Sequence, residues 1–266
     1  MKNKPLCLLM ILLIAIYIYP CHSYSAETFS PKTQAIIKKY TGIAPRLWGE
    51  QVSGVCTKLV TNEKVLALTF DACGGSKRSN AYDAKLIEYL KAKQIPATLF
   101  ISGRWMKANL STCKQLAQNS LFEIENHGLN HRPCSVNGRF AYGIKGTTSL
   151  NELVTEVLSN GKQISTITGS LPRFYRSGTN YYDEVATAVI HDLGYTPIGY
   201  QVLGDAGATF KRQQVYKALI SAPPGSIIIL HMNHPEGQTS EGLMDAIPKL
   251  EKLGFRFVKL SDYSMQ

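Results

Sequence analysis

The chain has 266 residues, 44% hydrophobic and 18% charged, which supplies material for a large core and excludes a disordered, highly charged chain. That length suits one sizeable α/β domain. The formal net charge is +10, yet no dense Lys/Arg run is interleaved with aromatics, which argues against a nucleic-acid partner.

At the N-terminus, Lys2 and Lys4 precede an unbroken apolar stretch from Leu6 to Tyr19, then Pro20 and Ser23-Tyr24-Ser25-Ala26. A basic end, a short apolar centre and small residues near a cut site predict a secretory signal over residues 1–25. The alternative is a retained membrane anchor, for which the stretch is short against a hydrocarbon core of about 30 Å. The expected location is therefore secreted or periplasmic, with no stable membrane insertion after cleavage. Cleavage removes two of the 29 basic residues and none of the 19 acids, leaving +8. That excess favours anionic partners such as a negatively charged cell-wall polymer or a lipid surface. Cys56, Cys73, Cys113 and Cys134 remain in the exported chain, and an even count in an oxidising space predicts two disulfides. Cys73 and Cys134 each lie close to a motif described below, so that pair is the first expectation.

Residues 26–60 read as a polar N-terminal extension without strong periodicity, ahead of a single domain over 61–266. Val65 to Phe70 forms an apolar run typical of a buried strand, and 81–93 a helix with Leu86, Ile87 and Leu90 on one face. A strand at 97–101, a helix near 110–118 and a strand at 122–124 follow. The segment 147–167 opens on Thr148-Ser149 and places Leu150, Leu153, Val154 and Val157 on one stripe, which predicts a long helix. Helix 182–192, strand 197–203, helix 212–220, strand 226–231, helix 241–252 and strand 255–258 complete the chain. Strands alternating with helices imply parallel βαβ units. About seven of them predict a single-domain α/β fold, a (β/α) barrel that is distorted or incomplete.

Barrels of this kind carry their chemistry at the C-terminal ends of the strands, and three such ends stand out. The first is Thr69-Phe70-Asp71-Ala72-Cys73-Gly74-Gly75, an acid after a buried strand; alone, such an Asp often only caps a helix. The second is His127-Gly128-Leu129-Asn130-His131, two imidazoles at a spacing that lets them converge on a divalent metal. The third is Ile227-Ile228-Ile229-Leu230-His231. A histidine there is a candidate general acid or base, because its free pKa lies near 6.5.

The order Asp, His-x-x-x-His, Arg, Asp, His along one chain resembles the NodB-type polysaccharide deacetylases, carbohydrate esterase family 4. The likeness runs over about residues 62–260. Thr69-Phe70-Asp71 is similar to that family's first motif, and Glu123 through His131 to its metal-binding motif. Ala97 to Gly103 resembles its second strand, Tyr175-Arg176-Ser177-Gly178 its third motif without the prolines, and Leu230-His231 its fifth. Asp205 matches the fourth motif, whose Trp is absent. The resemblance implies a seven-stranded barrel and metal-dependent hydrolysis of N-acetyl groups from an amino-sugar polymer, with release of acetate. Peptidoglycan is favoured over chitin. It also implies roles: Asp71 as base, His231 as acid, Arg176 and Asp205 as their partners, and His127 and His131 as ligands of a divalent metal, zinc by default. The family's second Asp, usually the third ligand, is here Ala72. Asp71 or water completing the shell, Cys73 supplying sulfur that would favour zinc, and a vacant non-catalytic site are the three alternatives. Two other functions compete: a non-catalytic glycan-binding protein, and a cyclic-amide hydrolase, against which the export signal argues.

Overall fold

The computed structural model describes residues 29–266; the expected signal segment lies outside them. Ser30 caps helix α1 (Pro31–Tyr40), its side chain accepting from the Thr33 N–H at 3.2 Å. Proline suits the first helical turn because its missing N–H would have had no partner there. Only Thr33 and Ile36 of α1 are buried, so its apolar stripe is too thin to show as periodicity in the sequence. The helix is tied to the body through Lys39 and Tyr40, which both reach the Asp192 carboxylate.

The alternation then runs β1 (Val65–Ala72), α2 (Ala84–Ala92), β2 (Ala97–Ile101), α3 (Gly103–Ala108), α4 (Leu110–Ala117) and β3 (Phe122–Asn126). A small hairpin, β4 (Phe140–Ala141) with β5 (Ile144–Lys145), precedes α5 (Leu150–Thr168). Next come β6 (Phe174–Tyr175), α6 (Glu184–Asp192), β7 (Thr196–Pro197), β8 (Val202–Leu203), α7 (Arg212–Ile220), β9 (Ser226–His231), α8 (Thr239–Lys252) and β10 (Arg256–Val258). Helix starts follow local chemistry: Asp83, Ser149 and Asp183 each accept a backbone N–H of the first turn with their side chains. Gly169, at φ +79°, ends α5 in the left-handed conformation that glycine adopts without a Cβ clash.

The strands form one sheet in the order β7-β6-β3-β2-β1-β9-β8, with β10 also pairing with β1. Every pairing in it is parallel, so the expected incomplete barrel is what the chain forms. The path ends at β7 and β8, which follow each other in sequence. The single strand expected over 197–203 is thus two short ones on opposite edges. Between them the Gly199 carbonyl turns inward to accept from Arg176 at 2.8 Å, and a Cβ at 199 would meet Val55 at 2.9 Å. Bridges from Cys56 to Ile198 and from Lys58 to Ser226 lay the preceding segment along both sides of this gap.

The period of two along β1 sorts its residues between two cores. Leu66, Leu68, Phe70 and Ala72 pack outward with the helices, in a cluster that includes Leu86, Ile101 and Trp105. Val65 and Ala67 pack inward with Phe100, Phe174 and Ile227. Each of the Val, Leu, Ile and Phe side chains among them, fully buried, stabilises the fold by about 1.5–3 kcal/mol. The same alternation aims Thr69 and Asp71 at the barrel interior, both buried.

The two expected disulfides are absent: Cys56, Cys73, Cys113 and Cys134 are all free thiols. Their surroundings explain it. Cys113 packs in the outer core and Cys134 in a separate cluster with Val154 and Tyr182, while Cys56 borders the barrel interior. Cys73 instead faces His127. Burial pushes the Cys113 thiol up to about 11 and that of Cys134 up to about 12, as befits packed, unreactive sulfur.

Candidate active site

Asp71 and His231 are direct neighbours on β1 and β9, which brings the first and third strand-end motifs together at one mouth. Asp71 is 2% exposed. One of its oxygens accepts from Arg176 Nη1 at 2.8 Å, and the other lies 3.6 Å from His127 Nε2. Arg176 is wholly buried; it also donates to the Thr69 hydroxyl and the Gly199 carbonyl, and its guanidinium sits 4.3 Å over the Phe100 ring. All these contacts hold a charge that would be prohibitive to bury unpartnered. Burial pushes the Asp71 carboxyl up, but Arg176 first, then His127 and His231, hold it below the ordinary carboxylate range.

His231 is held in the same manner. Its Nδ1 donates to Asp205 Oδ1 at 2.8 Å, and its backbone N–H to Asp205 Oδ2 at 2.7 Å. The Thr239 hydroxyl donates to the same Oδ2 at 2.9 Å. Asp205 is fully buried. Burial lowers the imidazole, but the Asp205 carboxylate outweighs it and holds His231 well above its ordinary value. Asp205 is in turn held low: burial opposes this, and the His231 charge prevails. The site therefore offers a carboxylate kept ionised beside an imidazole kept protonated.

The histidine pair meets next to them. His127 Nδ1 donates to the Arg176 carbonyl at 2.9 Å, which leaves the Nε2 lone pair facing the site. The rings of His127 and His131 stand edge to face, centroids 4.7 Å apart. Cys73 Sγ lies 3.9 Å from His127 Nε2. Ligand atoms of Cys73, His127 and His131 all fall within 4.8 Å of one another. Burial alone would push the Cys73 thiol up, yet the imidazoles of His131, His127 and His231 hold it well below the usual thiol range, favouring the thiolate that binds metals. Tetrahedral zinc with sulfur and nitrogen ligands separates those atoms by about 3.3–3.8 Å, so the donor set fits a cation of that size once the side chains draw in by up to about 1 Å.

Of the three ways to manage without an acid at position 72, the geometry favours sulfur. Ala72 continues the strand with its side chain outward in the helical core, and the next inward position is Cys73. The Cys73 carbonyl accepts from the Ser102 hydroxyl at 2.5 Å. Gly74 then turns at φ +69° so close to α3 that a Cβ would sit 2.4 Å from the Trp105 nitrogen.

Sequence reasoning missed Glu156. This carboxylate, 2% exposed on α5, accepts the N–H groups of Asn130 at 2.8 Å and Arg132 at 3.1 Å. It thereby clamps the loop on both sides of His131, whose φ is +55°. The available signal was an acid on the apolar stripe of Leu153, Val154 and Val157. Gly178 was read only as part of the third motif; a Cβ there would meet the His131 carbonyl carbon at 2.2 Å, so only glycine lets the two loops touch.

Asp71, Cys73, His131 and His231 line one cleft of about 530 Å³, together with Glu50, Tyr142, Thr179, Asn180 and Tyr200. Every candidate residue from the sequence, namely Asp71, His127, His131, Arg176, Asp205 and His231, belongs to this cleft or directly contacts a residue that lines it.

Comparison with known proteins gives the same picture. The chain is 26% identical over 210 residues to the peptidoglycan-N-acetylmuramic acid deacetylase PdaA of Bacillus subtilis, covering 76% of this chain and 72% of that protein. It is 24% identical over 217 residues to a peptidoglycan-N-acetylglucosamine deacetylase of Bacillus cereus, covering 80% and 94%. The fold matches the solved structure of PdaA at a TM-score of 0.64, with 23% identity over 88% of this chain and 89% of that one. It also matches a carbohydrate esterase family 4 pseudoenzyme of Bacillus anthracis at 0.64, with 22% identity over 76% and 66%. The polysaccharide deacetylase family model covers residues 58–198, more than half of the sequence, and the chain belongs to that family.

Proposed function

We propose that this protein is an exported, metal-dependent deacetylase that hydrolyses N-acetyl groups of an amino-sugar polymer, peptidoglycan before chitin. The observation that carries the reading is the meeting of a base-and-acid pair, Asp71 and His231, with the Cys73-His127-His131 donor cluster in one open cleft. The names of the Bacillus relatives support peptidoglycan as the polymer, and the N-terminal signal pattern supports export.

Cys73, His127 and His131 would hold the cation, and thiolate with two imidazoles favours zinc. When bound, such a cation polarises an amide carbonyl and makes water more acidic. Asp71, kept ionised by Arg176, takes the proton of the water that attacks the acetamide carbon. His231, kept protonated by Asp205, gives its proton to the departing sugar nitrogen, and acetate and a free amine result. Arg176 and Asp205 hold their partners' charge states and do not themselves exchange protons.

Acetate release from peptidoglycan and from chitin oligomers, with and without a chelator, tests this reading. Turnover that the chelator abolishes is expected. Asp71→Asn should remove turnover while metal content stays; normal activity in that variant refutes the base assignment. No acetate from either polymer leaves a glycan-binding protein in its place.

A further inference from the structure

Two of the three donor atoms sit on loops that no strand pairing holds together. Cys73 follows the end of β1 and His131 lies beyond the end of β3, with β2 between those strands. Both loops turn sharply: Gly74 and Gly75 have φ of +69° and +100°, and Gly128 and His131 have +78° and +55°. The start of α3, directly after β2, packs against both. Its Ser102 cap bonds the Cys73 carbonyl, the Gly103 N–H donates to the Gly128 carbonyl at 3.0 Å, and the Arg104 N–H donates to the Leu129 carbonyl at 3.1 Å. A Cβ on Gly103 would meet the Leu129 carbonyl oxygen at 2.9 Å.

The Arg104 side chain completes the link. Its Nη1 donates to the Asn130 carbonyl at 3.0 Å and its Nη2 to the Gly75 carbonyl at 3.4 Å, one acceptor in each donor-bearing loop. The guanidinium lies so close over Gly75 that a Cβ there would sit 1.9 Å from Nη2. A planar, rigid fork can hold two acceptors at a set separation, which the single ammonium of a lysine cannot do.

We propose that Arg104 is a positioning residue: it clasps the loops of Cys73 and His131 and so fixes the spacing of two donors for the cation. The donor atoms lie within 4.8 Å of one another and must close to about 3.3–3.8 Å around zinc. Loops free to drift apart would lose affinity to the ordering that binding then requires, and a fixed spacing removes that loss. The assignment rests on the reading of Cys73, His127 and His131 as the ligand set.

Arg104 is exposed, so its replacement leaves the core intact. Arg104→Gln removes charge and fork together, and Arg104→Lys removes the fork alone. Zinc affinity of the full chain, measured by competition with a chromophoric chelator, should fall about tenfold in both, the low end of what outer partners of a metal site are worth. Charge alone predicts the opposite sign for Arg104→Gln, because removing a positive group near a cation site tightens binding. Lys107→Gln, at the next base on α3, should leave affinity unchanged or slightly tighter. Parent-like affinity in Arg104→Lys, or parent-like or tighter binding in Arg104→Gln, overturns the clasp. Hydrogen exchange of the metal-free chain supplies a readout without zinc. Segments 73–76 and 128–131 should exchange about tenfold faster in both Arg104 variants, since a bridging bond to each loop is lost. A parent chain that binds no zinc sinks the ligand reading, and exchange then decides the clasp: faster exchange in both segments leaves it standing, and unchanged exchange overturns it.

Discussion

Replacing Asp205 by asparagine keeps its size and removes its charge. In the native chain Oδ1 accepts the His231 Nδ1–H at 2.8 Å, while Oδ2 accepts the His231 backbone N–H and the Thr239 hydroxyl. An asparagine whose oxygen satisfies those last two donors turns its NH₂ toward Nδ1, which must then accept. The neutral ring with its proton on Nε2 becomes the stable form, and burial, now offset only by Cys73 and no longer by Asp205, lowers the imidazole from its native, elevated value. The lost charge-assisted bond is worth about 1.5–3 kcal/mol, or about 10- to 150-fold in kcat where the imidazolium donates the proton. The sign on pH is definite. With its pKa raised, native His231 stays protonated through neutrality, and activity falls only as pH rises through that elevated value; the variant's alkaline limb moves to lower pH. The stability contributed by the raised histidine is complete below about pH 6.5 and fades as pH rises through the folded value. Acetate release from the N-acetylglucosamine tetramer between about pH 5 and pH 10 reads the first effect, and Tm against pH the second. A variant whose pH profile overlays the parent's refutes the coupling of Asp205 to the acid.

Cys73→Ala removes one of three donor atoms. Metal affinity should fall by more than the roughly 10- to 100-fold that outer partners of a metal site are worth; unchanged metal content by elemental analysis would exclude sulfur as a ligand. Glu125 is a buried acid pushed up to about 9 by burial, with Glu123 also raising it. Because its folded pKa is raised, stability falls as pH rises from about 4.5 toward 9, and at pH 7 the cost is about 3 kcal/mol. Glu125→Gln should recover that amount in denaturant unfolding at pH 7 and gain little at pH 4; equal gains at both would show another cause. Gly178→Ala forces a Cβ against the His131 backbone and should destabilise by about 1–3 kcal/mol, read as a fall in Tm.

The barrel and most of its mouth were legible because two periodicities are strong. Apolar runs ending in Asp71 and His231 mark buried parallel strands, and the stripe from Leu150 to Val157 marks α5. The strand that escaped notice, Phe174–Tyr175, and the two into which the expected 197–203 strand divides are two residues each, too brief for any period to register. The hairpin β4–β5, which positions Tyr142, is equally short. Arg176 was placed by family pattern, but its bonds to Thr69 and Gly199 join segments far apart in sequence. The disulfide expectation failed because an even cysteine count carries no information about packing. Cys73 itself was half legible. Carrying the inside-outside alternation of β1 two residues past Asp71 puts position 73 on the same face.

Ala72 and Cys73 are best understood as one change. When β1 runs on through position 72, that side chain must face Ile101 and Trp105, where a carboxylate would be buried without a partner and alanine packs well. In the proposed metal site the third ligand's place would then pass to the next inward residue, whose sulfur sits beside His127. Likeness of fold does not bear on activity, since the matched structures include both a deacetylase and a pseudoenzyme. The buried ion pairs do bear on it. Asp71 with Arg176, and His231 with Asp205, are weak devices for stability, because desolvation consumes much of their attraction and apolar packing of the same volume serves as well. What they accomplish is to drive two neighbouring groups to opposite charge states at the edge of an open cleft. That arrangement offers one proton acceptor and one proton donor, which supports the proposed deacetylase over a protein that only holds a glycan.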